Sequence, residues 1–275
     1  MSEDLNPQLE QMAHESMVRN LAHQADAIWP QERELLLRDP LPAPGAILDA
    51  GCGTGEITFR LAEMFPRATV HAVDILEEHV ERARQRCAPF GDRVQVTRGD
   101  VFALEFPAET FDLVVNRHVL QAIPHPDRVI AELARVAKPG GILHLLVEDY
   151  GMIHMAPTRL DADVFWHEGP RTFGGATGTD LHVGRKAFSI LNDLGLAGIT
   201  VDYVVVDTIR VPRETFAAIW EAWRDGYVDA IAEHTRFDRA ETIAYFEDMI
   251  ACIRNPRGYA VWHVPIVRAR KPKVA

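Results

Sequence analysis

Ile47-Leu-Asp-Ala-Gly-Cys-Gly-Thr-Gly-Glu-Ile57 runs from an apolar, β-rich segment straight into G-x-G-x-G and then into a helical pattern. Glycines at that junction let the backbone approach a ligand and set a helix N-terminus, with its free amides and partial positive charge, against an anionic group. Dinucleotide-binding folds use a close relative of this motif, so alone it fixes only a βα unit with a ligand at its turn. Asp49 narrows the choice. A carboxylate two residues before the first glycine faces a phosphate badly and suits a ligand with a positive amino group.

Outward from that stretch, short β-rich runs alternate with helical patterns, the signature of βαβ units building a parallel sheet. The runs are Ala46–Asp49, Thr69–Val73, Val94–Thr97, Phe111–Asn116 and Ile142–Glu148. Between the second and third, Leu76–Cys87 places Val80, Ala83 and Cys87 on one face, with Glu78 four residues before Arg82. Between the fourth and fifth, Asp127–Ala137 turns Ile130, Leu133 and Ala134 inward and stops at Pro139-Gly-Gly141. Beyond the fifth run the alternation breaks. Residues 151–184 show no period and read as a long active-site loop. Gly184–Leu194 then reads as a helix, Ile199–Ile209 as a strand, Glu214–Arg224 and Arg239–Ile253 as helices, and Tyr259–Val267 as a last strand antiparallel at the sheet edge.

At the start of the chain, Met17, Leu21, Gln24 and Ile28 share a helical face. Trp29-Pro30 is expected to end that helix and begin another through Leu37. The expected organisation is one domain over residues 1–275. It has a helical lid (1–40), a ligand-binding core (45–150), the loop (151–184) and a helical cap insertion (210–256).

Two further acids fall at carboxyl ends of successive strands. Asp74 can accept hydrogen bonds from both hydroxyls of a ribose, and Asp100, in Gly99-Asp-Val-Phe102, can accept from an exocyclic adenine amine. Any one of these acids read singly is a surface carboxylate or a helix cap; Asp49, Asp74 and Asp100 together describe a site.

The set Leu48-Asp-Ala-Gly-Cys-Gly-Thr-Gly55, Ala72-Val-Asp74, Gly99-Asp100, Phe111-Asp-Leu-Val-Val-Asn116 and Lys138-Pro-Gly-Gly141 resembles the class I S-adenosylmethionine-dependent methyltransferases, in particular their UbiE-like small-molecule branch. The resemblance covers about residues 45–150. It implies an α/β Rossmann-like doubly wound sheet of seven strands, the last antiparallel, with S-adenosylmethionine as cofactor and a small molecule as methyl acceptor. Carried onto this sequence, it implies that Asp49, Ala50, Gly51 and Gly53 bind the methionine part, Asp74 the ribose, and Asp100 with Val101 the adenine. Ile75 and Phe102 would line the ring, and Asn116 and Arg117 would contact the methionine end.

The acceptor must then lie above the carboxyl ends of the fourth and fifth strands. His118 and Glu148 lead as general base or acceptor-orienting residues, followed by Tyr150, His154, Trp166 and His167. Gln24, a polar residue on the apolar N-terminal face, and Arg19 nearby read as contacts to cofactor or acceptor. Trp220 and Trp223 line an acceptor pocket or pack between helices.

The remaining composition excludes more than it selects. With 29 basic and 40 acidic residues, the formal charge of −11 repels a nucleic-acid backbone, and Arg268–Lys273 reads as a solvated basic tail. Three scattered cysteines give neither a zinc ribbon nor a disulfide frame and fit a reducing compartment. The twelve histidines show no ligand spacing for a metal; His71 and His144 sit inside strand patterns, as packed core residues do. Met1–Pro7 lacks the pattern of a leader and no apolar run spans a bilayer, so a cytoplasmic chain without membrane contact is expected. A homodimer is left open. The competing readings are a non-catalytic donor-binding protein and a nicotinamide-dependent oxidoreductase.

Overall fold

The computed structural model describes residues 4–273; residues 1–3, the start of the stretch read as leaderless, and 274–275 lie outside the described part. The sheet follows from the sequence pattern. β1 (Gly45–Ala50), β2 (Ala68–Asp74), β3 (Val94–Arg98), β4 (Phe111–Arg117) and β5 (Ala137–Leu146) pair in parallel in the order β3-β2-β1-β4-β5. Central strands covered on both faces must be apolar throughout, and Ile47, Leu48, Val114, Val115, Leu145 and Leu146 are all fully buried. The helices α3 (Glu56–Met64), α4 (Glu77–Cys87) and α5 (Pro126–Val136) make the crossovers. α5 shows why its pattern works: Pro126 starts it, where a missing N–H costs nothing, and Val129, Ile130, Leu133 and Val136 bury one stripe.

Beyond β5 the chain adds β6 (Ile153–Ala156), α6 (Ala162–Thr177), α7 (Ala187–Asp193), β7 (Ala197–Asp207), α8 (Arg213–His234), α9 (Arg239–Arg254) and β8 (Tyr259–Arg270). β8 is antiparallel to its neighbours. Its second half pairs with β5, its first half with β6, and its other edge runs the length of β7. Among the described residues the sheet therefore has eight strands rather than the expected seven, because β6 continues the column of β5 along β8.

Three expectations need correction. Residues 151–184 are not an open loop: they hold β6 and the 16-residue α6, capped by Asp161, whose side chain accepts from the N–H of Asp163 and Val164. Gly169, Pro170, Gly174 and Gly175 hid the helix from a propensity reading, but Phe165, Trp166 and Phe173 anchor it in the apolar core. Pro30 does not divide the N-terminal helix. After a short α1 (Leu9–Ala13), α2 runs unbroken from Glu15 to Leu36 with Pro30 inside. The proline removes one helical bond, to the carbonyl four residues back, and the docking of Met17, Ala25, Ala27, Ile28, Leu35 and Leu36 outweighs that loss. Finally, the basic stretch 268–273 is not a free tail. Arg268 and Arg270 lie in β8 and pair with Asp39, while Nζ of Lys271 donates to the carbonyl of Ala137 (3.0 Å).

One apolar cluster joins α2, α6, α8 and α9 to the late strands through Ile28, Phe165, Trp220, Phe246, Val206 and Trp262. The two ends of the chain thus form a single cap over the C-terminal side of the sheet. Gln31 adds a seam to it: its amide donates to the carbonyl of Val205 (2.9 Å) and accepts that residue's N–H (3.1 Å), pairing an otherwise open stretch of β7.

Candidate functional site

Two cavities meet at the carboxyl ends of β1, β2, β4 and β5. The first, about 730 Å³, is walled by the strand-to-helix turns. At its floor Gly51 and Gly53 have φ of +78° and +52°, and a Cβ on Gly51 would meet Val119 at 2.4 Å. Only glycine combines that conformation with that approach. Asp74 ends β2 with its Oδ2 accepting from the N–H of Gly53 (2.8 Å) and Oδ1 from that of Leu76 (3.0 Å). These bonds fix the carboxylate while leaving lone pairs for a ligand. Asp100 is held likewise, accepting from the N–H of Phe102 (2.9 Å). Between the two acids the wall is apolar, formed by Ile75, Leu76, Val101 and Ile123.

A smaller recess adjoins this cavity, lined by Gln24, Asp49, Gly51, Cys52, Arg117 and His118. Asp49 is buried and takes a hydrogen bond from the hydroxyl of Thr58 (2.7 Å). Burial, more than the bond from Thr58 and the charge of Arg117 can offset, pushes its carboxyl up to about 6. A buried carboxylate so displaced would be relieved by a cation. Arg117 lines the cavity and the recess in a position fixed by an ion pair. Its Nε donates to Oε1 of Glu32 (2.9 Å), which also bonds Nε2 of His144 (3.1 Å). Although burial opposes it, the charge of Arg117 and the bond from His144 hold Glu32 down at about 2.

The second cavity, about 780 Å³, lies under the cap. Phe165, Trp166, Phe173, Trp223 and Phe246 give it an aromatic wall; Tyr150 stacks on Trp166 (centroids 5.7 Å) and meets Trp223 edge-on (5.5 Å). Its polar edge is His118, Glu148, Gln121, Asn20 and Gln24. Nδ1 of His118 is 2.5 Å from Oε1 of Glu148. With the proton assigned to Nδ1 in that bond, Nε2 presents its lone pair, and it has no hydrogen-bond partner among the described residues. The backbone at His118 is left-handed (φ +57°), a conformation that costs about 1–3 kcal/mol in a non-glycine residue and collects at functional positions. His118 lines both cavities and the recess between them.

Most of the residues expected from the sequence fall on these walls: Gln24, Asp49, Gly51, Gly53, Asp74, Ile75, Asp100, Val101, Arg117, His118, Glu148, Tyr150, Trp166 and Trp223. Others do not. Arg19 is half exposed and pairs with Glu15 and Asp225, joining α2 to α8. His154 is exposed on Asp163, and His167 is on the outer side of α6. Trp220 is fully buried between Phe216, Trp223 and Trp262, so it supports the cavity from behind. Phe102 packs beneath Arg128 (5.5 Å). Asn116 donates to the carbonyl of Ala50 (2.7 Å), tying the ends of β4 and β1 together, and neither residue is in the lining of these two cavities or the recess.

Several residues went unread. Asn20 and Glu32 are buried on the face of α2 that holds Gln24, four and eight residues from it; that polar recurrence on an apolar stripe was the available signal. Gln121 donates to the carbonyl of His118 (2.8 Å), and Tyr227 donates to Gln8 (2.9 Å) beside α1. Gln8 and Met12 border both cavities, so the start of the chain closes over their junction.

Residues 47–141 match the family model of a methyltransferase domain. The malonyl-[acyl-carrier protein] O-methyltransferase of Halalkalibacterium halodurans is 35% identical over 128 residues, 46% of this chain and 45% of that protein. The phosphatidylethanolamine N-methyltransferase of Cereibacter sphaeroides is 34% identical over 131 residues, 45% of this chain and 63% of that protein. The chain therefore spans about half the length of these curated relatives. Among solved structures, a phosphoethanolamine N-methyltransferase 2 of Haemonchus contortus, in complex with phosphomonomethylethanolamine and S-adenosylhomocysteine, superposes with a TM-score of 0.63 at 20% identity. The match covers 99% of this chain and 61% of that one, and at that identity it speaks for the fold.

Proposed function

We propose that this chain, whose residues 47–141 carry a class I S-adenosylmethionine-dependent methyltransferase domain, transfers the donor's methyl group to a small-molecule acceptor held in the aromatic cavity. The observation that carries the reading is His118: it lines the glycine-floored cavity, the Asp49 recess and the aromatic cavity at once.

The residues present suit the donor. Asp49, buried and raised by burial, is complemented by the ammonium of the methionine part. Asp74 keeps acceptor capacity for ribose hydroxyls, and Asp100 with Val101, Ile75 and Ile123 offers a carboxylate and an apolar slot for an adenine. When bound, the donor's sulfonium supplies an activated methyl carbon. What remains for the protein is alignment, exclusion of water and acceptance of a proton. Nε2 of His118 is placed to accept that proton, and Glu148, bonded to Nδ1, holds the ring's tautomer and steadies its charged form. Gln121 keeps the backbone of His118 in place. α1 and α2 cover the junction of the cavities, which favours a dry reaction space.

The test has two arms. Asp74→Ala should weaken S-adenosylhomocysteine binding at least tenfold by calorimetry with the fold intact; unchanged affinity would remove the donor assignment. A labelled-methyl screen over metabolite pools, with products identified by mass, should yield a methylated product. Transfer at the same rate by His118→Ala would remove the proposed base.

A further inference from the structure

We propose that the acceptor is an uncharged, apolar-bodied hydroxyl compound, held with its reacting hydroxyl at Nε2 of His118 and a second neutral hydrogen-bonding group at Asn20; this deepens the methyl-transfer reading and rests on it. The chemistry of the cavity wall makes the choice. Its described lining contains no lysine and no arginine, and its one carboxylate is Glu148. Arg117, the guanidinium in the described lining of the neighbouring cavity and recess, is paired with Glu32. A phosphate or carboxylate entering this space would lose its hydration with no cation to replace it, a penalty of several kcal/mol before any contact is made. The cavity already disfavours negative charge. Burial first, and then the charge of Glu148, push the phenols of both Tyr150 and Tyr227 up.

A cationic acceptor would find one carboxylate but would also lie beside the donor's sulfonium, which repels it. Oε1 of Glu148 already takes the imidazole N–H of His118, while its Oε2 is buried without a hydrogen-bond partner among the described residues. Apart from that oxygen and Nε2 of His118, the remaining unpaired polar atoms on the wall belong to neutral groups: Nε2 of Gln8, both amide atoms of Asn20 and Oε1 of Gln121 are buried without a hydrogen-bond partner among the described residues. Asn20 is 1% exposed. Such an amide costs about 1–3 kcal/mol unless something pairs with it, and a hydroxyl or carbonyl of the ligand does so without bringing a charge. An oriented base is also what a hydroxyl needs, because its oxygen is a poor nucleophile until its proton leaves.

The step balances within the groups named. The hydroxyl proton passes to Nε2 of His118, and the oxygen forms a bond to the methyl carbon. The carbon–sulfur bond breaks with its electron pair on sulfur, leaving a methyl ether, a neutral thioether and an imidazolium paired with Glu148.

A matched naphthalene series tests this on the full chain, with and without S-adenosylhomocysteine, read by tryptophan fluorescence and calorimetry. 2,7-Dihydroxynaphthalene should bind at least about tenfold more tightly than 2-naphthoate, 2-naphthyl phosphate or the 2-naphthylmethylammonium ion. Equal or tighter binding of any charged member overturns the proposal, as does failure of the neutral diol to bind below about 1 mM. Asn20→Leu should weaken the diol about tenfold and leave 2-naphthol unchanged; equal effects on both would refute the second anchor. The selectivity of the unmodified protein decides the charge preference even if that variant fails to fold. Absence of S-adenosylhomocysteine binding would overturn the methyl-transfer reading itself, whereas binding of that product together with a preference for charged probes would overturn this inference alone.

Discussion

Asp49→Asn should make the protein more stable at neutral pH while depriving it of its donor. In the folded chain the carboxyl of Asp49 is pushed from 3.8 to about 6, burial being the main cause. A folded-state value above the unfolded one means that the folded chain holds its proton more tightly. The group therefore costs nothing below about pH 4, where both states are protonated, and stability is lost as pH rises through about 6. At 1.36 kcal/mol for each pH unit of displacement, the cost above pH 6 is about 3 kcal/mol. Asparagine still accepts from Thr58 but brings an amide N–H₂ that needs a partner, so a net gain of about 1–3 kcal/mol is expected at pH 7.5 and none at pH 4. For a chain of this size that is a rise in Tm of roughly 3–9 °C. Thermal and urea melts at pH 4, 5, 6 and 7.5 measure it. The same displacement sets the pH dependence of ligand binding. If only the ionised carboxylate accepts the ammonium, about a tenth of the sites are competent at pH 5 and about nine-tenths at pH 7. Affinity for S-adenosylhomocysteine should then fall about tenfold between pH 7 and pH 5, and Asp49→Asn should abolish that slope. An Asn variant equally stabilised at pH 4 and 7.5, or product affinity flat over that range, would refute the account.

Glu32→Gln should cost about 3–5 kcal/mol in urea unfolding, because it strands the buried guanidinium of Arg117; a loss below about 1 kcal/mol would show that the pair carries little. Since the folded-state value of Glu32 is held down at about 2, its contribution is present above the ordinary carboxylate range and is lost as pH falls from about 4.5 towards 2. His118→Ala should lower turnover of the acceptor by about 10²-fold or more, with product affinity within about threefold, measured by labelled-methyl transfer beside calorimetry. Trp220→Ala should destabilise by about 3–5 kcal/mol, as a large buried ring lost from the core does; a variant of normal stability with altered acceptor selectivity would instead return Trp220 to the cavity wall.

Much of this was legible along the chain because the parallel half of the sheet is a local code. Each buried strand is a continuous apolar run, each crossover helix carries its stripe, and the acids of the glycine-floored cavity and its recess occupy successive strand ends: Asp74 and Asp100 in the cavity, Asp49 in the recess. The cap was less legible. α6 contains glycines and a proline, and β6 is four residues long; both exist because Phe165, Trp166 and Ile153 find apolar partners far away in sequence. The same cause kept α2 whole through Pro30. Among expected site residues, the ones that turned away, such as Arg19, His154 and Asn116, were taken by partners that linear spacing does not reveal: Asp225, Asp163 and the carbonyl of Ala50.

The sequence by itself determined the βα units, the glycine turn that brings backbone close to a ligand, and the acids at the strand ends, since periodicity and φ > 0 are properties of neighbouring residues. It also singled out His118 and Glu148, 30 residues apart, because adjacent parallel strands end side by side. Only the tertiary structure decided that Nδ1 of His118 rests on Glu148 and leaves Nε2 free, that Glu32 from α2 immobilises Arg117 and His144, and that the aromatic cavity is walled by α6, α8 and α9 without a lysine or arginine among its described lining. Those are facts of three-dimensional packing, in which burial sets the energy of each charge and the identity of the nearest partner sets its chemistry.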